Sequence, residues 1–200
     1  MRWQVVLPEE QRVQRWSGGE TRELYIAPTG ASYAGRDFSL RLSSATVEEE
    51  RSVFTELPAY ERQLVLLSGK ICLRHDGSTP LVLLPLAVDS FDGGAVTHSH
   101  GRCRDFNVML AKAAGYSAHC EAFSQVPEWF AGGNAVEFFF AAQGAFVLVS
   151  KELQLPIPEG ALLRLEGARE AFALRPKGEG TRQLVHVVLK KANKKETVPV

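Results

Sequence analysis

Apolar residues in this chain recur at every second position or in short runs, and Gly, Pro, Asp or Asn bounds most of these segments. Period-two alternation indicates β-strands, whereas an amphipathic helix repeats its apolar residues every three to four positions. Many short strands separated by turns favour a sandwich or barrel, so the predicted fold class is all-β. Strands are predicted at 3–7, 22–27, 38–47, 63–67, 70–75, 81–84, 88–91, 105–110, 117–123, 136–142, 145–150, 161–165, 171–174 and 183–189.

One segment, 47–57, could instead form a helix. Its acidic triplet Glu48-Glu49-Glu50 is more simply interpreted as a solvated bend between strands, because three like charges in a row favour exposure to water.

A weak internal repeat relates segment 64–94 to segment 138–168. In each copy a Gly turn, at Gly69 or Gly144, separates two apolar strands, and Pro85 or Pro158 opens a later strand. The residues after Pro158 resemble the second motif of cupins, P-x-G-x-x-H, with Leu163 in place of the metal-binding His. The repeat predicts two related jelly-roll halves in one compact unit, which is the double-cupin arrangement. We expect residues 1–124 to form the half with the candidate pocket, 125–190 a structural half, and 191–200 a basic flexible tail.

The overall charge argues against nucleic acid as a partner. Lys+Arg and Asp+Glu both number 23, and the only basic cluster is Lys190, Lys191, Lys194 and Lys195 near the C-terminus. The N-terminus has no signal-peptide apolar core, and no stretch approaches the length of a membrane span. Three cysteines without metal-ligand spacing, Cys72, Cys103 and Cys120, suit reduced thiols. The chain is therefore expected to be cytoplasmic, with neither nucleic acid nor membrane as partner.

Polar residues share one face of several predicted strands, because side chains alternate across a strand. Arg41 lies with Ser39 and Ser43, Asp105 lies with Asn107 and Met109, and Thr21 lies with Glu23 and Tyr25. Such faces either point to water or line a barrel interior that holds a small ligand. They contain little Lys and are rich in Ser, Thr, Asn and Arg, which favours the second interpretation slightly.

A metal site is the alternative for the chemistry of this chain. His98 and His100 would share a strand face, and Asp105 follows them, in a loose imitation of the first cupin metal motif. Two imidazoles and one carboxylate can hold Fe, Mn or Zn. The segment THSHGRCR is nevertheless interpreted as a loop, with both histidines in water. His75, His119 and His186 are expected to be satisfied strand residues.

Several fragments, in order along the chain, resemble the HutD/Ves family. They are WSGGETREL from Trp16, FSLRLSSA from Phe38, LPAYER from Leu57, LLSG from Leu66, DSFDGG from Asp89 and DFNVM from Asp105. The W-S-G-G form is similar to the Gram-positive version of the family.

The resemblance implies a double-cupin fold and a cytoplasmic protein linked to histidine utilisation. It also implies a non-catalytic role, without a cofactor, in which a carboxylate metabolite such as urocanate or N-formylglutamate is bound and pathway output is restrained. Transferred position by position, it implies eight ligand-binding residues: Arg62, Ser17, Thr21, Glu23, Arg41, Ser43, Asp105 and Asn107.

Two further possibilities remain open from the sequence. Arg62 could form a structural ion pair with Glu23 or Asp105 instead of binding a ligand. Three functions also compete: the metabolite-binding module, a metal-dependent isomerase or dioxygenase using His98, His100 and Asp105, and an interaction protein that forms a homodimer through exposed strand edges.

Overall fold

Nearly all regular secondary structure is β-strand in a computed structural model, which describes residues 1–133 and 135–192. Two short 3-10 helices, Pro8–Glu10 and Lys112–Ala114, interrupt the strands. No helix in these ranges is long or apolar enough to cross a membrane. The strands are β1 Arg2–Val6, β2 Arg12–Trp16, β3 Gly19–Ala27, β4 Leu40–Val47, β5 Arg51–Val53, β6 Tyr60–Gly69, β7 Ile71–His75, β8 Leu81–Leu83, β9 Val88–Asp92, β10 Thr97–His100, β11 Cys103–Ala111, β12 Tyr116–Phe123, β13 Val136–Gln143, β14 Ala145–Val149, β15 Gln154–Ile157, β16 Leu162–Glu166, β17 Ala173–Lys177 and β18 Gln183–Lys191.

The strands form two barrels, each built from a large and a small sheet. The first barrel combines the sheet β2-β3-β4-β11-β6-β9 with the sheet β5-β10-β7-β8. The second barrel combines the sheet β1-β16-β13-β18-β12 with the sheet β15-β14-β17. Strand pairing therefore crosses the expected boundary at residue 124, because β1 and β12 join the sheet of the second barrel. The half boundaries stay a prediction.

Every strand predicted from alternation is present, and the structure adds four more. The additions are β2, β5, β10 and β15. Each lacks a clear apolar face: β2 is exposed throughout, β5 has three residues, β10 is polar and β15 contains Pro156. The interpretation of THSHGRCR as a loop holds only at Gly101 and Arg102, because Thr97–His100 pairs with β5 and β7 and Cys103 and Arg104 begin β11.

The structure also describes the acidic segment before β5 and the first lysines of the C-terminal basic cluster. Glu49 and Glu50 lie in a bend before β5, so the helix over 47–57 does not form. Lys190 and Lys191 are the last residues of β18. Lys194 and Lys195 lie outside the described residues. Cys72, Cys103 and Cys120 are free thiols.

The internal repeat is visible in hydrogen bonding as well as in strand order. The amide of Leu86 donates to the carbonyl oxygen of Leu66 at 2.7 Å, and the amide of Gly160 donates to that of Ala141 at the same distance. A register shift follows at the next residue in both barrels. Leu67 of β6 has no paired residue on β11, and Ala142 of β13 has none on β18. Leu66 and Ala141 therefore occupy equivalent positions in the two barrels.

Apolar packing joins the two barrels. One cluster lies between the two large sheets and includes Phe106 from β11 and Phe140 from β13, whose rings stack at 5.5 Å. A second cluster fills the second barrel and includes Leu163, which is fully buried at the position where cupins have a metal-binding His. The interior of the first barrel is only partly apolar, and this difference provides space for the candidate site.

Candidate ligand-binding cavity in the first barrel

A cavity of about 340 Å³ opens in the first barrel, and most of the predicted site residues line it. Six of the eight do so: Thr21, Arg41, Ser43, Arg62, Asp105 and Asn107. Glu23 lies behind this wall and hydrogen-bonds to Arg41. Ser17 does not belong to the cavity; it lines a neighbouring surface depression with His98 and His100. The polar faces of β3, β4 and β11 thus point into the barrel, as the second interpretation predicted.

One member of the predicted faces points elsewhere. A bulge in β3 shifts the register between Glu23 and Tyr25, so Tyr25 turns away from the cavity. Its ring packs against Phe138 at 4.9 Å in the core between the barrels. The expectation that Tyr25 shares a face with Thr21 and Glu23 is therefore wrong, because period-two alternation ends at a bulge.

Two glycines of the family-like fragments hold the cavity walls in place. A Cβ on Gly93 would lie 2.6 Å from the Leu57 carbonyl oxygen and 3.4 Å from Cδ of Arg62, so only glycine lets this loop pack behind Arg62. A Cβ on Gly19 would overlap the Thr46 carbonyl oxygen. These close approaches tie the β9 loop to the start of β6, and the β2–β3 hairpin to β4.

Arg41 is a paired and fixed cation in the cavity wall. Its Nε donates to Oε2 of Glu23 at 2.7 Å, and its Nη1 donates to Oγ of Ser43 at 3.0 Å. Its guanidinium also lies over the Tyr33 ring, 4.6 Å from the centroid. With its charge balanced by Glu23, Arg41 is a structural part of the wall.

Arg62 is held differently, without a carboxylate partner. Its Nη2 donates to Oδ1 of Asn107 at 3.0 Å, and its Nη1 donates to the Thr55 carbonyl oxygen at 3.4 Å. The Nε atom is buried and has no partner. No carboxylate among residues 1–133 and 135–192 lies within 4.0 Å of its guanidinium. The alternative of an ion pair with Glu23 or Asp105 is therefore wrong in this structure.

Aromatic rings support the unpaired guanidinium from the sides. The Cζ atom of Arg62 lies 5.0 Å from the Phe54 ring centroid and 5.1 Å from that of Phe91. Such contacts stabilise a cation by about 0.5–2 kcal/mol, depending on its desolvation. Burial still lowers the pKa of Arg62, although an arginine stays charged in proteins. The side chain is 6% exposed and borders the cavity, so it is positioned to meet an anion there.

Asp105 is a second buried polar group with unused hydrogen-bonding capacity. Its Oδ1 atom is buried and has no partner, and the residue is 4% exposed. Burial raises the pKa of its carboxyl from 3.8 to about 7, although the positive charge of Arg62 acts in the opposite direction. Near neutral pH this carboxyl can therefore donate a hydrogen bond when it is protonated and accept one when it is ionised.

The raised pKa of Asp105 makes stability depend on pH. Between about pH 4 and pH 7 the unfolded chain ionises this carboxyl while the folded chain keeps its proton, so stability is lost as pH rises through that window. We expect the melting temperature of the wild type, relative to Asp105→Asn, to fall by at least about 4 °C from pH 5 to pH 8. Calorimetric scans at both pH values measure this difference. Parallel pH profiles for the two proteins would contradict it.

The histidines do not form the metal site of the alternative hypothesis. His98 and His100 lie on the exposed face of β10, while Asp105 lies inside the cavity on β11. Across the described part of the chain, no three His, Cys, Asp or Glu side chains come close enough to hold a metal ion. His75, His119 and His186 each lie in a strand and hydrogen-bond to a neighbouring side chain, as expected.

Several cavity residues were missed by sequence reasoning. They are mainly aromatic or apolar side chains and residues of β2, β5 and the loops: Gln14, Trp16, Tyr33, Ala45, Val47, Ser52, Val53, Phe54 and Thr55. Trp16 could have been found from the sequence, because it belongs to the same family-like fragment as Thr21. In the structure its Nε1 donates to Oγ1 of Thr21 at 3.2 Å. Tyr33 and Phe54 come from segments without alternation, which carry no signal of their position.

Two barrels related by an internal repeat, with a small open cavity in the first, define a double-cupin protein, and solved structures confirm this predicted fold. Bacterial pirin YhhW from Escherichia coli, solved with nickel(II), has a TM-score of 0.66 at 8% identity, over 94% of this chain and 98% of that one. The chain belongs to the HutD family, whose sequence profile matches residues 8–184. The resemblance seen in the fragments is thereby confirmed at the level of the family.

Two bacterial structures are more similar. The conserved protein of unknown function PA5104 from Pseudomonas aeruginosa PAO1 has a TM-score of 0.76 at 22% identity, covering 95% of this chain and all 100% of that one. HutD from Pseudomonas fluorescens SBW25, solved in a formate condition, has a TM-score of 0.73 at 22% identity, covering 94% of this chain and 100% of that one. A search of curated proteins found no match.

Proposed function

We propose that the first-barrel cavity binds a small metabolite through its carboxylate, with Arg62 as the anion-binding group. The observation that carries this proposal is the contrast between the two cavity arginines. Arg41 is neutralised by Glu23 at 2.7 Å, whereas Arg62 is buried beside the cavity with an unpartnered Nε and no described carboxylate within 4.0 Å of its guanidinium. A buried charge is costly unless it is paired, and a ligand carboxylate supplies the missing pair.

The rest of the cavity suits a small, partly flat molecule. Its volume of about 340 Å³ lies at the lower end of the range for small-molecule sites. Asn107, Ser43 and Thr21 offer both donors and acceptors, and Asp105 adds a carboxyl with a free oxygen. Phe54 and Tyr33 add aromatic surface to the lining. These groups would orient the ligand, while Arg62 would supply most of the affinity.

Membership of the HutD family suggests a role linked to histidine utilisation. The pathway metabolites urocanate and N-formylglutamate both carry carboxylates, and urocanate adds a planar imidazole. We infer that this protein binds one of them without converting it, and that binding restrains the output of the pathway in the cytoplasm. No constellation in the cavity supports a metal-dependent reaction, because His98 and His100 lie outside it.

Calorimetric titration of the wild type with urocanate, N-formylglutamate, histidine and formate tests this function. We expect saturable binding of urocanate or N-formylglutamate at a stoichiometry of one per chain. The ligand with every carboxylate methylated, the methyl ester of urocanate or the dimethyl ester of N-formylglutamate, is the control, since it loses the negative charge and gains only methyl groups. The ester should bind at least about tenfold more weakly, as expected for a lost charge-assisted hydrogen bond. No binding of any of the four compounds, or equal binding of the ester, would contradict the proposal.

A further inference from the structure

A second buried polar pair lies in the second barrel, in otherwise apolar surroundings. Nε2 of His186 lies 2.7 Å from Oε2 of Glu137, and both residues are less than 10% exposed. The imidazole stacks on Phe139 at 4.3 Å with an interplanar angle of 7°, and the edge of Phe130 meets it at 5.2 Å. These contacts fix the ring in one orientation.

The position of this pair matches the Arg62–Asn107 pair of the first barrel. Leu66 and Ala141 are equivalent, and side chains on one face of a strand are two residues apart. The residues four positions earlier on the same faces, Arg62 on β6 and Glu137 on β13, are therefore also equivalent. On the neighbouring strand, Asn107 pairs with Leu64 as His186 pairs with Phe139. A hydrogen bond joins each pair, at 3.0 Å in the first barrel and 2.7 Å in the second.

The chemistry at the two equivalent positions is opposite. Arg62 is a cation with donors only, whereas the second pair joins an imidazole nitrogen to a carboxylate oxygen. In the form with a carboxylate at Glu137 and a neutral imidazole at His186, Nε2 donates the proton of the shared bond. That tautomer leaves two acceptors, Nδ1 of His186 and the second carboxylate oxygen, Oε1, of Glu137. Within the described ranges neither atom has a hydrogen-bond partner. The pair thus presents acceptors and a negative charge where the first barrel presents donors and a positive charge.

A surface cavity of about 1000 Å³ reaches this pair. Phe130, Val136 and Val188 give it apolar walls, and Glu137 and His186 form its polar end. Two exposed lysines also border it, at positions 190 and 191. They lie four and five residues beyond His186 along β18, about 13–17 Å away at the rise of a strand, where water screens their charge.

We propose that the second barrel holds a ligand site of its own, in which Glu137 and His186 bind the N–H end of a small amine or imidazole compound. The site is independent of Arg62 and of the carboxylate proposed for the first barrel. The duplicated fold would then carry two sites of opposite charge preference, one in each barrel.

NMR of protein labelled with 15N-histidine tests this site directly, because the ring signals of His186 report on its bound state. The probes are benzylammonium and imidazole, and benzoate is the control that keeps the ring but carries a carboxylate. We expect benzylammonium and imidazole to shift the His186 signals saturably at concentrations up to about 50 mM, well above the millimolar affinities that such fragments can reach. Benzoate should leave these signals in place.

Two variants separate this site from the first one. In Arg62→Met the response of His186 to benzylammonium should be unchanged, whatever happens to carboxylate binding. In Glu137→Gln, which keeps the size of the side chain, the affinity for benzylammonium should fall at least tenfold. Absence of a saturable shift in the wild type, a response to benzoate alone, or an unchanged affinity in Glu137→Gln would each overturn the proposal.

Discussion

Replacing Arg62 with methionine is expected to abolish carboxylate binding, with a loss of affinity of at least about 100-fold for urocanate or N-formylglutamate. Charged hydrogen bonds contribute about 1.5–3 kcal/mol each, and a guanidinium can form two of them with one carboxylate. A loss of about 3 kcal/mol corresponds to roughly 100-fold in the dissociation constant. Methionine keeps much of the length and removes only the charge and the donors.

The same substitution should leave the fold intact, which separates a binding effect from unfolding. In the wild type Arg62 is a buried cation without a carboxylate partner, so its removal relieves a desolvation cost. The melting temperature of Arg62→Met without ligand should therefore equal or exceed that of the wild type. Arg175→Met, which changes an exposed arginine on β17 in the second barrel, is the matched control and should bind normally.

Calorimetric titration of the three proteins gives these affinities. Arg62→Lys adds a further comparison, because lysine keeps the charge but loses the planar fork of donors. We expect its affinity to fall between those of the wild type and Arg62→Met. Binding by Arg62→Met within threefold of the wild type would show that Arg62 is a wall residue only.

Replacing Phe106 with alanine is expected to destabilise the whole molecule by about 3–5 kcal/mol, the usual cost of removing a buried phenylalanine. Phe106 is 0% exposed and stacks on Phe140 at 5.5 Å, across the interface between the two large sheets. Because this cluster belongs to both barrels, the loss should affect both at once. Denaturant unfolding should show one transition at a lower midpoint, whether followed by fluorescence or by circular dichroism.

Trp129→Ala is the control for this prediction, since Trp129 is 53% exposed and its loss should change stability by no more than about 0.5 kcal/mol. Two separated transitions in Phe106→Ala, with one at the wild-type midpoint, would mean that the barrels unfold independently. The shared core would then not join the halves.

Alternation was sufficient to predict the all-β fold, because a strand with one buried face must place apolar residues at every second position. It failed for β2, which is exposed throughout, and for β10, whose side chains are polar on both faces. The pairing of both strands depends on their neighbours. It also failed at Tyr25, since a bulge is set by local backbone geometry that alternation does not encode.

The candidate site was predictable in part. The strand faces alone indicated Thr21, Arg41, Ser43, Asp105 and Asn107, which line the cavity. Arg62 came only from the family resemblance, because a single arginine at the start of a strand has no pattern of its own. Ser17 was predicted with the others but lies in the neighbouring depression, where the β2–β3 turn carries it.

The polar pair of the second barrel was missed for a different reason. Arg62 and Glu137 lie just ahead of the two repeat copies, 64–94 and 138–168. An alignment on Pro85 and Pro158, extended backwards, places no charged residue opposite Arg62. An alignment on Gly69 and Gly144 places Glu137 there, and the strand register supports this second alignment. Most side chains of the second copy are apolar, a pattern that indicates a structural half and gives no signal for Glu137 and His186.

The most direct test of the central claim is a crystal structure of the protein with urocanate or N-formylglutamate bound. We predict that the ligand occupies the first barrel, with a carboxylate oxygen within about 3 Å of a guanidinium nitrogen of Arg62. A ligand bound elsewhere, or one whose carboxylate points away from Arg62 toward solvent, would contradict the account.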